Sequence, residues 1–298
     1  MNLTAILLIL AMTHKPLVPA GGAKPVGPYI PGLEAGAFVY ASGQGASDAD
    51  GHRATDIETQ TRQAITNVRV ILEVAGLGLK DVVQVQFFLL DLKNLPIADR
   101  VFHEEFGTPG PARVILGTAR MPTDTPVEIT VVAQKLTTPR AYLPAVYGKN
   151  AAEAEARFLQ RLGTSKLVQR VDYSTSAWQP HIVSIDALPD GAGHAIFAAI
   201  GPDQTSTFCA VETSNSHGTV EEQTYNVFGK LESCLAARGF KLSDITATNV
   251  YLDNMGDFAK MNAVYATFFP EGKPTRTTVQ PFKTVGGSLV RISAIAVK

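Results

Sequence analysis

The sequence predicts an α+β protein of two tandem domains, each a mixed β-sheet with two helices packed on one face. Three observations carry that expectation. The chain has 298 residues, about two domains' worth, and its 45% hydrophobic and 18% charged content is that of an ordinary soluble globule. It also repeats itself. Glu58-Thr-Gln-Thr61 returns as Glu221-Glu-Gln-Thr224, 163 residues on, and the same offset carries Gly76 to Gly239, Leu89 to Leu252, Pro111 to Pro274, Arg113 to Arg276 and Ile129 to Ile292. Finally, hydrophobic spacing within each copy switches between the period of a strand and that of a helix.

The elements follow in order. Ala37 to Gly43 reads as a strand, and its best match in the second copy is Ala195 to Gly201. The first helix begins at Thr55, with Glu58 three residues on as a capping box; Ile65, Val68, Leu72 and Ala75 keep helical spacing, and Gly76 stops it. Thr219, Glu222, Leu231, Leu235 and Gly239 repeat the design. A strand over Val82 to Asp91 places Val83, Val85, Phe87 and Leu89 on one face and Gln84, Gln86, Phe88 and Leu90 on the other. A short helix over Leu95 to Phe106 and strands over Ala112–Ala119 and Val127–Gln134 complete the copy.

Between the copies lie a helix over Ala151 to Leu162 and a strand-like stretch near Val168 to Tyr173, read as the divergent first strand of the second domain. The resulting division is a leader or mis-assigned start over 1–14, a first domain over 15–137, a connecting segment over 138–165 and a second domain over 166–298. The sheet face away from the helices is too apolar to stay wet, so domain pairing or oligomerisation should cover it.

Composition narrows the function. Lysine and arginine total 26 against 27 acids, a net charge of −1, which excludes the basic footprint of a dedicated nucleic-acid binder. Cys209 and Cys234 are too few for a disulfide framework or a zinc cluster, and nothing asks for an oxidising compartment, so a cytoplasmic location is expected. The six histidines lack metal-ligand spacing, Gly43-Gln-Gly45 falls short of a nucleotide fingerprint, and no serine sits in a nucleophile elbow. Neither metal nor organic cofactor is expected. The apolar run Ala5 to Met12 is far short of the roughly 20 residues of a membrane span, and no basic residue precedes it as a secretory signal would want. It reads as a short leader, or as a mis-assigned start with Met12 as the first residue.

Four residues could carry chemistry. Arg113 sits among apolar neighbours, where a buried guanidinium needs an anion, either a protein carboxylate such as Glu128 or the carboxylate of a ligand. Glu128, between Val127 and Ile129, could orient or deprotonate a water. Ser42 offers a hydroxyl at a glycine-softened strand end, where a turn hydroxyl bonded to the backbone is the plainer reading. Tyr29 could equally be a packing aromatic.

Together these residues resemble the Rid/YjgF family, the reactive-intermediate deaminases. The hallmarks stand as Gly27-Pro-Tyr29, Ala41-Ser-Gly-Gln44, Asp56-Ile-Glu-Thr-Gln-Thr-Arg-Gln-Ala64, Pro111-Ala-Arg113 and Val127-Glu-Ile129. The resemblance covers about 15–135 closely and about 195–298 more loosely. It implies two tandem chorismate-mutase-like (YjgF-type) domains, units that close in threes into a barrel-like trimer with ligand clefts between them. It further implies that Arg113 holds a substrate carboxylate, Glu128 positions water, and Tyr29, Ser42 and the backbone of Ile115 line the cleft. The implied reaction is hydrolysis of a small enamine or imine, such as 2-aminoacrylate, to a 2-keto acid and ammonia.

Departures gather in the second copy. Arg276 and Asn262 are kept, whereas the first copy has Asp99 in place of the family's asparagine. Arg291 stands where Glu128 would be, Ile200 replaces the serine, and Thr278 matches Ile115. Two arginines with no acid would repel unless an anion sat between them, so this copy is expected to scaffold the assembly or to bind an anion without turnover. A mixed cleft could also combine Arg113 and Glu128 with surfaces of the second copy. The competing functions are a non-catalytic small-carboxylate binder, a chorismatase-like enzyme and, weakest, RNA cleavage. Since two units cannot close a ring of three, a homo-oligomer, a trimer of two-domain chains, is expected, with neither nucleic acid nor membrane as partner.

Overall fold

The structure is a computed structural model that describes residues 14–135, 140–176, 182–201, 206–212, 217–281 and 288–298. Strands β1 (Lys15–Leu17), β2 (Gly32–Ala35) and β3 (Phe38–Gly45) lead into helix α1 (Ile57–Val74); β4 (Val82–Leu89), α2 (Leu95–Phe106), β5 (Ala112–Gly117) and β6 (Val127–Gln134) complete a sheet ordered β1-β2-β3-β6-β4-β5. The middle of the chain makes β7 (Ala141–Gly148), α3 (Ala151–Leu162), β8 (Leu167–Ser174), β9 (Ile182–Ser184) and β10 (His194–Ile200), ordered β7-β10-β8-β9. The last part makes β11 (Ser206–Glu212), α4 (Val220–Ala236), β12 (Ile245–Leu252), α5 (Phe258–Thr267), β13 (Thr275–Val279) and β14 (Val290–Val297), ordered β11-β14-β12-β13.

Two complete α+β units are present in tandem, as the repeat predicts, but a third sheet lies between them. All three share one topology: the last strand inserts between the first and second, and the second pairs with the third in parallel. The stretch expected to be a connecting segment is therefore β7 and α3 of a middle unit with a single described helix. Likewise, β8 and β10 belong to that unit rather than to the second domain. Ala195 to Gly201, matched by sequence to Ala37–Gly43 of copy one, falls almost wholly in β10, the last strand of the middle unit. The counterpart of β3 is β11, which pairs with β14 as β3 pairs with β6.

Edge strand β5 packs against β7, β8 approaches β11, and β13 packs against β3, so the three units form a ring. Their inner faces share one buried cluster that includes Phe88 and Leu116, Tyr173 and Phe197, and Tyr251 and Val279. The apolar face predicted to need a cover is thus covered within the chain. The premise that three chains must meet to close a ring falls away, and light scattering should read a single-chain mass near 31.8 kDa. A mass three times that would show that the ring also assembles further.

Local details differ from the sequence reading for physical reasons. Asp56, not Thr55, caps α1, accepting the Thr59 N–H at 2.8 Å. A bulge between Val82 and Gln84 shifts the phase of β4, so Val82 rather than Val83 joins the helix-side core. Cys209 and Cys234 form a disulfide that ties β11 to α4. Closing a loop between residues 25 apart is worth about 3 kcal/mol, so reduction should lower the thermal midpoint by roughly 5 °C. Calorimetry with and without reductant checks this, and an unchanged midpoint would reject it. No helix among the described residues is long and apolar enough to cross a membrane.

Candidate active site

The ring places three clefts between neighbouring units, and the sequence furnishes each differently. The cleft between the first and third units is the complete one. Its floor is a bulge in β3: Ala41 pairs with Val131 and Gln44 with Ile129, so Ser42 and Gly43 stand against a single residue of β6. Glu128 on β6 lies across Gly43, where a Cβ would come within 2.0 Å of its Oε1, so only glycine leaves room for the carboxyl. From the other side β13 brings Arg276. Its backbone N–H donates to Ser42 Oγ at 2.9 Å, and Ser42 in turn donates to the Ile30 carbonyl. The Ser42 hydroxyl, fully buried, therefore fastens the two walls together and is largely committed to that task.

Arg276 is only 3% exposed, with its guanidinium carbon 4.9 Å from the ring centres of both Tyr29 and Tyr265. Its Nη1 donates to Asn262 Oδ1 at 2.7 Å, while Nη2 is buried without a hydrogen-bond partner among the described residues. Gly27 makes space for that nitrogen, since a Cβ there would approach Nη2 to 2.3 Å. Burial lowers the pKa of Arg276, because a desolvated cation with a neutral partner lacks compensation. Glu128 is 6% exposed, and burial pushes its pKa up to about 8 despite the opposing pull of Arg276. Tyr29 accepts the Val26 N–H, and burial raises its phenol, which stays neutral.

Thr278, two residues after Arg276, also lines the cleft, and its buried Oγ1 has no partner among the described residues. The two-residue period of a strand points its N–H the same way as that of Arg276, toward the cleft. Together with Phe258 these groups enclose about 490 Å³, with Lys24, Asp48 and Arg53 toward the rim. Asp48, Asp50 and His52 bring potential metal donors within 4.8 Å of one another, but on a loop already folded by hydrogen bonds to Asp48.

Arg113 is elsewhere. It lies between the first and middle units, ion-paired to Asp99 and 3.9 Å from the Phe102 ring centre. The expected Arg113–Glu128 pair, whether an internal salt bridge or a shared cleft, is not formed, because β5 faces β7 rather than β3. The register sets Pro144 and Ala145 of β7 at the level of Ser42 and Gly43, and Ala195 at that of Glu128. The backbone of Ile115, expected to meet a ligand, donates to Tyr147 Oη at 2.8 Å.

The third cleft, between the middle and third units, is a cavity of about 180 Å³ lined by Arg291, Lys230, Ile182 and Tyr251. β11 pairs with β14 without a bulge, and Ala210 lies near the level of Ser42, so Ile200 is not the serine's counterpart. Arg276 and Arg291 thus lie in different clefts, and the predicted repulsion between them does not arise.

Sequence reading named Tyr29, Ser42, Glu128, Asn262, Arg276 and Thr278, missed Tyr265 and Phe258, and set Arg113 rather than Arg276 beside Glu128. A signal was present. Asn262 leaves the charge of Arg276 for a ligand, whereas Asp99 neutralises Arg113.

Comparison with known proteins shows the family. The family model described as endoribonuclease L-PSP matches residues 21–135 and 207–298. A RutC family protein of Pyrococcus horikoshii is 39% identical over 114 residues, covering 38% of this chain and 90% of that protein. A 2-iminobutanoate/2-iminopropanoate deaminase of Salmonella typhimurium is 36% identical over 112 residues, covering 36% and 88%. Among solved structures, the Escherichia coli YjgF gene product is 31% identical with a TM-score of 0.39, covering 41% of this chain and 99% of that one. Yeast Mmf1 is 30% identical with a TM-score of 0.40, covering 42% and 100%.

Proposed function

Because the chain belongs to the endoribonuclease L-PSP family, the Rid/YjgF proteins, we propose that its complete cleft hydrolyses a small carboxylate-bearing imine or enamine, such as 2-iminopropanoate or its tautomer 2-aminoacrylate, to the 2-keto acid and ammonia. One observation carries the reading. A buried guanidinium with an open Nη2 and no carboxylate in hydrogen-bond reach among the described residues faces a buried carboxyl across a cleft. Such a cation is costly unless an anion arrives to pair with it, and a planar carboxylate matches its fork.

The chemistry follows from the two protonation states of Glu128. With Arg276 and the Thr278 N–H holding the substrate carboxylate, the adjacent imine carbon points toward Glu128. The neutral Glu128 carboxyl, held so by burial, protonates the imine nitrogen. The resulting carboxylate takes a proton from a water as that water's oxygen bonds to the imine carbon. The carbinolamine then collapses: the C–N bond breaks, ammonia leaves with a proton returned through Glu128, and the C=O bond of the keto acid forms. The imine is already electrophilic, so orientation, one water and exclusion of bulk solvent supply the remainder.

The test is the decay of 2-aminoacrylate generated in situ, with and without the protein. Acceleration that saturates with substrate is expected; unchanged decay with folded protein rejects the assignment. The disulfide weighs against the cytoplasmic expectation, since such bonds persist mainly in oxidising compartments.

A further inference from the structure

Among the described residues, the cleft between the first and middle units has an arginine, a backbone donor and no glutamate, and a tyrosine stands in it. We propose that this cleft is a second small-carboxylate site in which Tyr147 acts as a built-in ligand, its hydroxyl oxygen filling the place of a carboxylate oxygen. The inference rests on reading the complete cleft as a carboxylate site, because the 163-residue repeat makes the two arginine walls equivalent.

The equivalence is detailed. Arg113 on β5 corresponds to Arg276 on β13, and each guanidinium packs on an aromatic ring of the second helix, Phe102 or Tyr265. Each binds the side chain one turn before that ring, Asp99 or Asn262. Each also keeps one buried nitrogen without a hydrogen-bond partner among the described residues, Nη1 of Arg113 and Nη2 of Arg276. Ile115 corresponds to Thr278, and its N–H points out of the sheet edge toward the neighbouring unit. In the complete cleft that neighbour is β3, where Gly45 sits opposite Glu128, lies close against Thr125 and sends no side chain toward the arginine wall. In this cleft it is β7, where Tyr147 sits opposite Ala195 in the same register. The tyrosine side chain enters the space and its oxygen receives the Ile115 N–H at 2.8 Å.

The exchange of Gly45 and Glu128 for Tyr147 and Ala195 removes the acid and places a phenol oxygen on the Ile115 N–H. Asp99 completes the change. It gives Arg113 the negative partner that Arg276 lacks, so the site does not require an external anion. Burial keeps the Tyr147 phenol neutral, with its pKa pushed up to about 12, which suits an oxygen that accepts a hydrogen bond without adding charge beside Asp99. One chain therefore carries one site open to substrate and one closed by its own side chain.

Two experiments test this. Equilibrium dialysis with labelled pyruvate, a product-like keto acid, counts sites in the full chain. Wild type should bind one per chain, Tyr147→Ala combined with Asp99→Asn should bind two, and adding Arg113→Met should return the count to one. A double variant that is folded and still binds one overturns the proposal while leaving the complete cleft intact. Counts of zero, one and zero across the three proteins would instead uphold the proposal and reject the reading of the complete cleft. Tyr147→Phe keeps the ring and removes only the oxygen, so it tests the contact even if the alanine variant does not fold. Hydrogen exchange at the Ile115 amide should accelerate at least tenfold; an unchanged rate overturns the role of the hydroxyl.

Discussion

Replacing Arg276 with methionine should lower kcat/KM for 2-iminopropanoate hydrolysis at least 100-fold, whereas the same change at Arg113 should cost less than threefold. Methionine keeps much of the packing volume on Tyr29 and Tyr265 and removes the charge and the fork. A charge-assisted bidentate contact to a carboxylate in a desolvated site is worth about 3 kcal/mol, which converts to roughly 100-fold. Arg113 is ion-paired to Asp99 in a cleft that Tyr147 fills, so its loss does not touch substrate in the complete cleft. The contrast matters more than either number. Equal losses at both positions would show that the clefts share a substrate or that Arg113 supports the ring itself. Arg276→Lys is informative too: a point charge that cannot form the fork should recover only part of the loss.

Glu128→Gln should reduce turnover about 1,000-fold or more, because glutamine can neither give a proton to the imine nitrogen nor take one from water. In wild type, kcat/KM should fall as pH rises through about 8, where Glu128 loses the proton it is proposed to donate. A profile flat from pH 6 to 10 rejects the acid role. The same substitution should stabilise the protein at pH 9. The folded-state pKa of Glu128 is raised above its unfolded value, so the native state binds the proton more tightly. Its favourable contribution is fully present below the ordinary glutamate pKa and is lost as pH rises toward about 8. Across that window the loss is roughly 3–5 kcal/mol, and glutamine, which never ionises, avoids it. Denaturant unfolding of both proteins at pH 5 and pH 9 checks this. A variant gain that is not larger at pH 9 contradicts the raised pKa.

Much of this anatomy was legible in the sequence because it depends on short-range spacing. The repeat at 163 residues, the α1 and α4 helices with their glycine stops, and the apolar strands around Arg113 and Glu128 all follow from periodicities a single chain displays. Glu128 was legible for the same reason, Arg276 through the repeat, while Tyr265 and Phe258, ordinary aromatics of α5, carried no such signal. A glutamate or an arginine in an apolar strand is expensive wherever the strand ends up. Even the choice between arginines left a trace, in asparagine at 262 against aspartate at 99.

What the sequence by itself determined, then, was the pair of complete units and the residues able to carry chemistry. The tertiary structure alone decided the third unit and the pairing of clefts. The middle sheet, β7 to β10, has one described helix and shares no motif with the others. Only strand order and the matching bulges at Ser42–Gly43 and Pro144–Ala145 reveal it. Which arginine meets Glu128 depends on which sheet edge lies against β3, a contact that joins Arg276 to Ser42, 234 positions apart. Local spacing places a side chain on a strand face. Ring closure, which covers the inner faces of all three sheets at once, decides which faces meet.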